Sequence, residues 1–203
     1  MVSVSEFVPF VRAQFPSAPD FLLARAIVES AIEFCRRTRV VQGEGEVNAM
    51  EGEQEADVFM LYGESSEITK VYRKEDGSVL EQLSELDIRN ARESTGTPRA
   101  YTLAGAGKVL LWPTPDTSET LWAAIVYVPS INATSLDQSL FSIYREAIVG
   151  GAQYRVGRNN FHFRNEDAAQ VGMIEFDRGV TRAITQQAKG RTGRALRTKS
   201  SYM

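Results

Sequence analysis

Thiol and imidazole chemistry is nearly absent from this sequence, which holds one cysteine (Cys35) and one histidine (His162) in 203 residues. A single cysteine forms no internal disulfide and builds no thiolate zinc site, and a lone histidine removes the commonest recurring metal ligand. Long apolar runs are missing too. None approaches the roughly 20 residues needed to span a bilayer. The opening MVSVSEFVPF carries no basic stretch ahead of an apolar core, so it does not read as a signal peptide. The expectation is a chain made and folded in a cytoplasm, with no membrane partner. Neither sign of charge is in large excess: the net charge is −3, which argues against general binding to nucleic acid. What remains is the composition of an ordinary globular protein, long enough to bury a core and short for two independent domains.

The small net charge hides an uneven distribution. Between residues 41 and 97 there are fourteen acidic side chains against five basic ones. Near the C-terminus the sign reverses, with Lys189, Arg191, Arg194, Arg197 and Lys199 and no acid. A basic tail on an acidic body points to a tail with a partner.

Hydrophobic spacing predicts helices at both ends. Phe7, Phe10 and Val11 share a helical face over about 3–15, closed by Pro16. A second helix is predicted over 20–37, where Leu23, Ala26, Ile27, Ser30, Ala31 and Phe34 form a stripe and Arg36, Arg37 and Arg39 crowd the C-terminal end. Two more are predicted over 137–156, capped by Asp137, and over 165–189, with a break from Gly157 to Asn160. Glycine costs about 1 kcal/mol against alanine inside a helix. Gly150, Gly151 and Gly172 therefore point to close helix–helix approach.

The middle of the chain reads differently. Gln42-Gly43-Glu44-Gly45-Glu46 is polar and glycine-bearing and reads as an exposed loop, and 56–62 is an apolar stretch of either type. A strand over 68–73 is expected to turn at Asp76-Gly77 into 79–83, since Asp-Gly is a strong hairpin signal. Ser84 is placed to cap a short helix through Leu86, Ile88 and Ala91. Further strands are predicted over 99–103, 108–112 and 120–128. The last, LWAAIVYV, is apolar on both faces, so cover on both sides is expected. Trp112, Trp122 and Val126 are the candidates for packing between subunits. The fold class expected is thus α+β: a helical bundle of N- and C-terminal helices, with an antiparallel β region of about 41–130 inserted. Residues 1–189 would form one domain, followed by a basic tail over 190–203.

No reading for catalysis, cofactor or metal survives inspection. Gly107-Lys108 is followed by Val109, and Thr102 stands where a phosphate-binding loop needs its first glycine, so a hairpin turn fits better. Cys35 lies in an apolar helix and His162 in a polar break, with no third residue to orient a nucleophile pair. The acids over 44–57 lack the spacing around a turn glycine that a calcium loop requires. Trp112 and Trp122 sit in apolar strands with few flanking cations, which favours packing over base stacking.

Several stretches, in order, resemble the bacteriophage head–tail adaptor (connector) proteins that sit below the portal ring. They are Gly96-Thr97-Pro98-Arg99-Ala100-Tyr101-Thr102, then Lys108-Val109-Leu110-Leu111-Trp112-Pro113-Thr114-Pro115-Asp116, the strand over 121–129, the helix over 137–152 and the helix over 21–37. Residues 41–62 have no counterpart in that resemblance, and the segment before Pro16 has no assigned role in it. The resemblance implies a structural subunit at the head–tail junction of the virion, with no enzymatic activity and no cofactor. It implies a homo-oligomeric ring, generally of twelve copies, whose partners are the portal protein and a tail nozzle or tube protein. Genomic DNA would pass through the lumen without sequence-specific binding. The C-terminal segment would reach the portal, which makes Arg191, Arg194, Leu196, Arg197, Lys199 and Tyr202 the candidate docking residues. The alternatives are a tail-completion or minor tail protein, a nucleic-acid-binding module using the basic tail, and an enzyme of unknown type.

Overall fold

The computed structural model describes residues 1–59, 65–90, 94–105, 107–159 and 161–192. The chain begins with β1 (Val2–Ser3), α1 (Val8–Arg12) and α2 (Asp20–Thr38). Four strands follow, β2 (Gln42–Ala49), β3 (Glu55–Phe59), β4 (Ser65–Tyr72) and β5 (Glu81–Gln82), and then α3 (Glu85–Asn90). Next come β6 (Ala100–Gly105), β7 (Lys108–Trp112), β8 (Glu119–Val128) and β9 (Ser135–Leu136). The described residues close with α4 (Gln138–Ser142), α5 (Arg145–Asn159) and α6 (Glu166–Thr192). Two compact units result: Met1–Val40 with Pro129–Met203, and Val41–Val128.

The sheet overturns the expected helical bundle with an inserted antiparallel region. Seven strands in the order β4-β8-β2-β3-β7-β6-β5 form one mixed sheet that curls until it nearly closes. Two physical facts separate it from the expectation. First, 42–46 is no loop. Val47 and Ala49 are buried, and Gly45 shares their face, while Gln42, Glu44, Glu46 and Asn48 are exposed. That is the alternation of a half-buried strand, disguised because glycines stand where large apolar residues would normally mark the inner face. The space is used by the neighbouring strand: a Cβ on Gly45 would meet Ile125 Cδ1 at 2.5 Å, and one on Gly43 would meet the Tyr127 ring at 2.5 Å.

Second, β5 pairs with β6 in parallel, Glu81 opposite Ala100, so the sheet is mixed. The Asp76-Gly77 turn forms where expected, with Gly77 at φ 71° and Tyr72 bridged to Val79. Leu80 N–H donates to Val71 O, and then Glu81 N–H donates to Arg99 O. Within two residues the chain leaves one edge of the sheet and joins the other, which is how the curl closes at this end. Arg73 clamps the junction: its guanidinium makes two 2.9 Å bonds to Glu119 and donates to Pro98 O at 2.7 Å. Inside lie Val47, Val71, Tyr101, Val109, Leu111, Leu121, Ala123 and Ile125, each at most 1% exposed.

In the helical unit, α2 buries the stripe expected of it, with Leu23, Ile27, Ala31 and Phe34 fully buried. Its last turn ends in a left-handed Arg39 (φ 54°) whose N–H donates to Cys35 O. α5 and α6 pack at glycine. A Cβ on Gly172 would lie 2.5 Å from Gly150 O, and one on Gly151 would lie 2.1 Å from Ser30 Oγ. Ser30 Oγ instead donates to Ile148 O at 2.9 Å, tying α2 to α5. The helix expected over 137–156 is two helices. Asp137 caps α4 through Ser139 N, and the chain turns at Ile143 before α5. This turn sets Phe141 edge-on to Phe7 and Tyr144 against Phe34, each pair at 5.1 Å. α5 also continues through Gly157, where a break was expected, because that glycine accommodates the Asn165 carbonyl; a Cβ there would lie 2.7 Å from it. β1 pairs with β9 in a two-stranded ladder too short to be read from sequence.

Candidate interaction surfaces

The two residues weighed and rejected as a nucleophile pair lie in different environments. Cys35 is wholly buried in α2, and burial first, the Asp137 charge second, pushes its thiol up to about 12. His162 is exposed on the short turn Phe161–Phe163. At pH 8 the Cys35 thiolate, the form that reacts, is a small minority species in the folded protein. Native protein should therefore resist a disulfide thiol reagent at pH 8 and release one equivalent of thiol only when guanidinium unfolds it; rapid labelling of folded protein would refute this burial. Linkage has a definite sign here. An unfolded cysteine ionises near 8.5, so stability falls as pH rises from about 8.5 through the native value of about 12. Gly107 opens β7 at the end of a hairpin, and no group of three or more metal-type ligands occurs among the described residues.

The outer face of the sheet is better organised than the sequence reading allowed. Register places Phe59 beside Glu46, Glu46 beside Trp122, and Trp122 beside Tyr72, giving a row across β3, β2, β8 and β4. Phe59 is 59% exposed, Glu46 is exposed, and Trp122 and Tyr72 are half-buried. One end of the row is occupied by a cation from the same chain. Lys74 Nζ stands 3.7 Å from the Trp122 ring centroid and 3.5 Å from Glu44. The Tyr72 hydroxyl donates to Glu44, which raises the phenol to about 12 and lowers the Glu44 carboxyl. Lys108 is paired with Glu55 and stands 3.9 Å from Asp57. Glu46 has no ion-pair partner among the described residues.

The predicted packing residues fall on two strands. Trp122 and Val126 share the outer face of β8, and Trp112 points outward from β7, three strands away. Cover on both sides of β8 holds only toward its end: Val126 and Val128 are buried, while Trp122 and Ala124 are half-exposed. The Trp112 indole nitrogen is shut away from solvent with no hydrogen-bond partner among the described residues. Of the predicted docking residues, Arg191 falls in the last turn of α6, and Arg194, Leu196, Arg197, Lys199 and Tyr202 lie outside the described residues. The sequence reading missed the aromatic row. Its one signal was the period-2 alternation from Gly43 to Ala49.

No helix among the described residues is long and apolar enough to cross a membrane. A family model described as SU10 adaptor protein matches residues 3–199, nearly the whole chain. No curated protein matches.

Proposed function

We propose, from the premise that this chain belongs to the SU10 adaptor family, a family of phage head–tail adaptors and not of enzymes, that it forms a ring beneath the portal. In this reading the ring joins the DNA-filled head to the tail nozzle or tube, has no active site, and lets genomic DNA pass through its lumen. The family match over 3–199 carries the reading. Twelve copies in the ring follow from the resemblance alone. A ring subunit needs two different, mutually complementary surfaces, because each copy meets one neighbour with each. The aromatic and acidic face of the sheet supports one such surface, with Trp112, Trp122 and Val126 in its neighbourhood.

Electron microscopy of the purified chain with and without its portal tests the reading: rings seated on portals support it, and portals that stay bare at saturating protein refute it. The same assay tests the tail. In this reading residues 193–203 serve docking and not folding, so deleting them should leave the melting temperature within about 1 °C. It should remove portal binding, since Arg194, Arg197 and Lys199 are then missing from a charge-assisted, salt-sensitive contact. Full binding by the truncated chain would place the docking surface in the folded units instead.

A further inference from the structure

Two surfaces of this chain match each other in chemistry, and each is only partly satisfied within the chain. The first is the row Phe59–Glu46–Trp122 on the sheet, where a carboxylate with no ion-pair partner among the described residues is set between two aromatic rings. Carboxylate and aromatic faces together recognise a guanidinium, which pairs with the one and stacks on the other. The row already shows this preference, since Lys74 sits on the Trp122 ring. The second surface is the outward stripe of α6. Val171, Ile174, Arg178 and Arg182 follow i, i+3, i+7, i+11, one face of a helix. Val171 is 59% exposed and Ile174 45%. Arg178 bonds Glu175 at 2.9 Å. Arg182 is exposed and has no ion-pair partner among the described residues. From Arg178 to the end of the helix there are four cations and no acid.

We propose that the α6 stripe of one copy docks on the Phe59–Glu46–Trp122 row of a second copy, with Arg182 paired to Glu46 between the two rings and Ile174 and Val171, about 12 and 16 Å further along the helix, extending the contact over the sheet beyond the row. This deepens the adaptor reading and rests on it, for it names the two unlike faces through which ring neighbours would meet. The occupant is a second copy because the apolar and charged features each face requires are present on the other face of the same chain. A contact between two different patches is also the kind that propagates head to tail and closes into a ring.

The test needs no portal, so its failure is separate from failure of the adaptor reading. Full-length Arg182→Lys, mixed as equal parts of isotopically light and heavy protein at about 0.2 mM, a concentration chosen to populate a weak contact, is treated with a carbodiimide. This reagent joins a carboxylate to an amine only when they touch. The expected product is a peptide pair linking residue 46 of one isotope to residue 182 of the other, absent when Glu46→Gln is added. A second arm measures self-association by sedimentation. Arg182→Glu and Glu46→Arg should each weaken it about tenfold, in the range of a broken interfacial charge pair, and the double exchange should restore it to within about threefold. Absence of the 46–182 link overturns the proposal. So does a double exchange that fails to recover, which would instead assign Glu46 to a cation on another protein.

Discussion

Gly172→Leu should destabilise the helical unit by about 3 kcal/mol or more, a magnitude reached when bulk is forced into a closed packing. For a protein of this size that is a fall in melting temperature of roughly 6–12 °C. Even Gly172→Ala should be destabilising, which reverses the usual rule. In an open helix that change is favourable by about 1 kcal/mol. Here the new Cβ would sit 2.5 Å from Gly150 O, a backbone atom that no rotamer change moves aside. α5 and α6 would have to separate, and the crossing leaves little give. Gly179 would place a Cβ 2.3 Å from Ala147 Cβ further along the same crossing, and Ser30 is already bonded to the Ile148 carbonyl. Gln170→Leu, on the exposed side of the same helix, is the control and should change stability by less than about 0.5 kcal/mol. Thermal melts of the three variants decide the matter. A Gly172→Ala protein as stable as wild type would mean that the helices are not in contact at this point.

Gly45→Val should have the second largest effect, a loss of about 2–3 kcal/mol, again through overpacking. Valine is a better strand former than glycine, so propensity alone predicts a gain. Against that, a Cβ at 45 would meet Ile125 Cδ1 at 2.5 Å and Phe59 O at 2.8 Å. The isoleucine tip has some freedom, but the Phe59 carbonyl belongs to the partner strand and has none. Glu44→Val, one residue away on the outer face, lacks any such clash and should be far milder. Were 42–46 a solvated loop, the two substitutions would be alike. Equal stability for both would therefore remove β2 from the sheet.

These two glycines also show how far the sequence could be read. Gly150, Gly151 and Gly172 signalled close packing because each breaks an otherwise apolar helical stripe at a cost that only tight contact offsets. Gly45 sent no such signal, since glycine between glutamates is indistinguishable from loop composition until its neighbours are known. Elements fixed by local rules were legible: the α2 stripe from Leu23 to Phe34, the Asp76-Gly77 turn, and Ser84, whose hydroxyl accepts from Asp87 N and contacts the Asp87 carboxylate. What depends on distant partners was not. The parallel β5–β6 pair, the two-residue β1–β9 ladder and the turn at Ile143 all arise from segments far apart in the chain. The outer aromatic row is the sharpest case. Phe59, Trp122 and Tyr72 become neighbours only through strand register, and register is settled by which inner residues pack together.

The first and last strands of the sheet unit lie side by side, Gln42 opposite Val126, and Tyr127 N–H donates to Val41 O at 2.8 Å. The two ends of this 41–128 segment are therefore about one strand spacing apart, roughly 5 Å. A segment that begins and finishes at the same doorstep can be lengthened, shortened or exchanged without asking the flanking chain to relocate. Such geometry suits a module that changes while its host stays constant. The 41–128 cassette can be revised while both joints, at Val40 and Pro129, stay where they are.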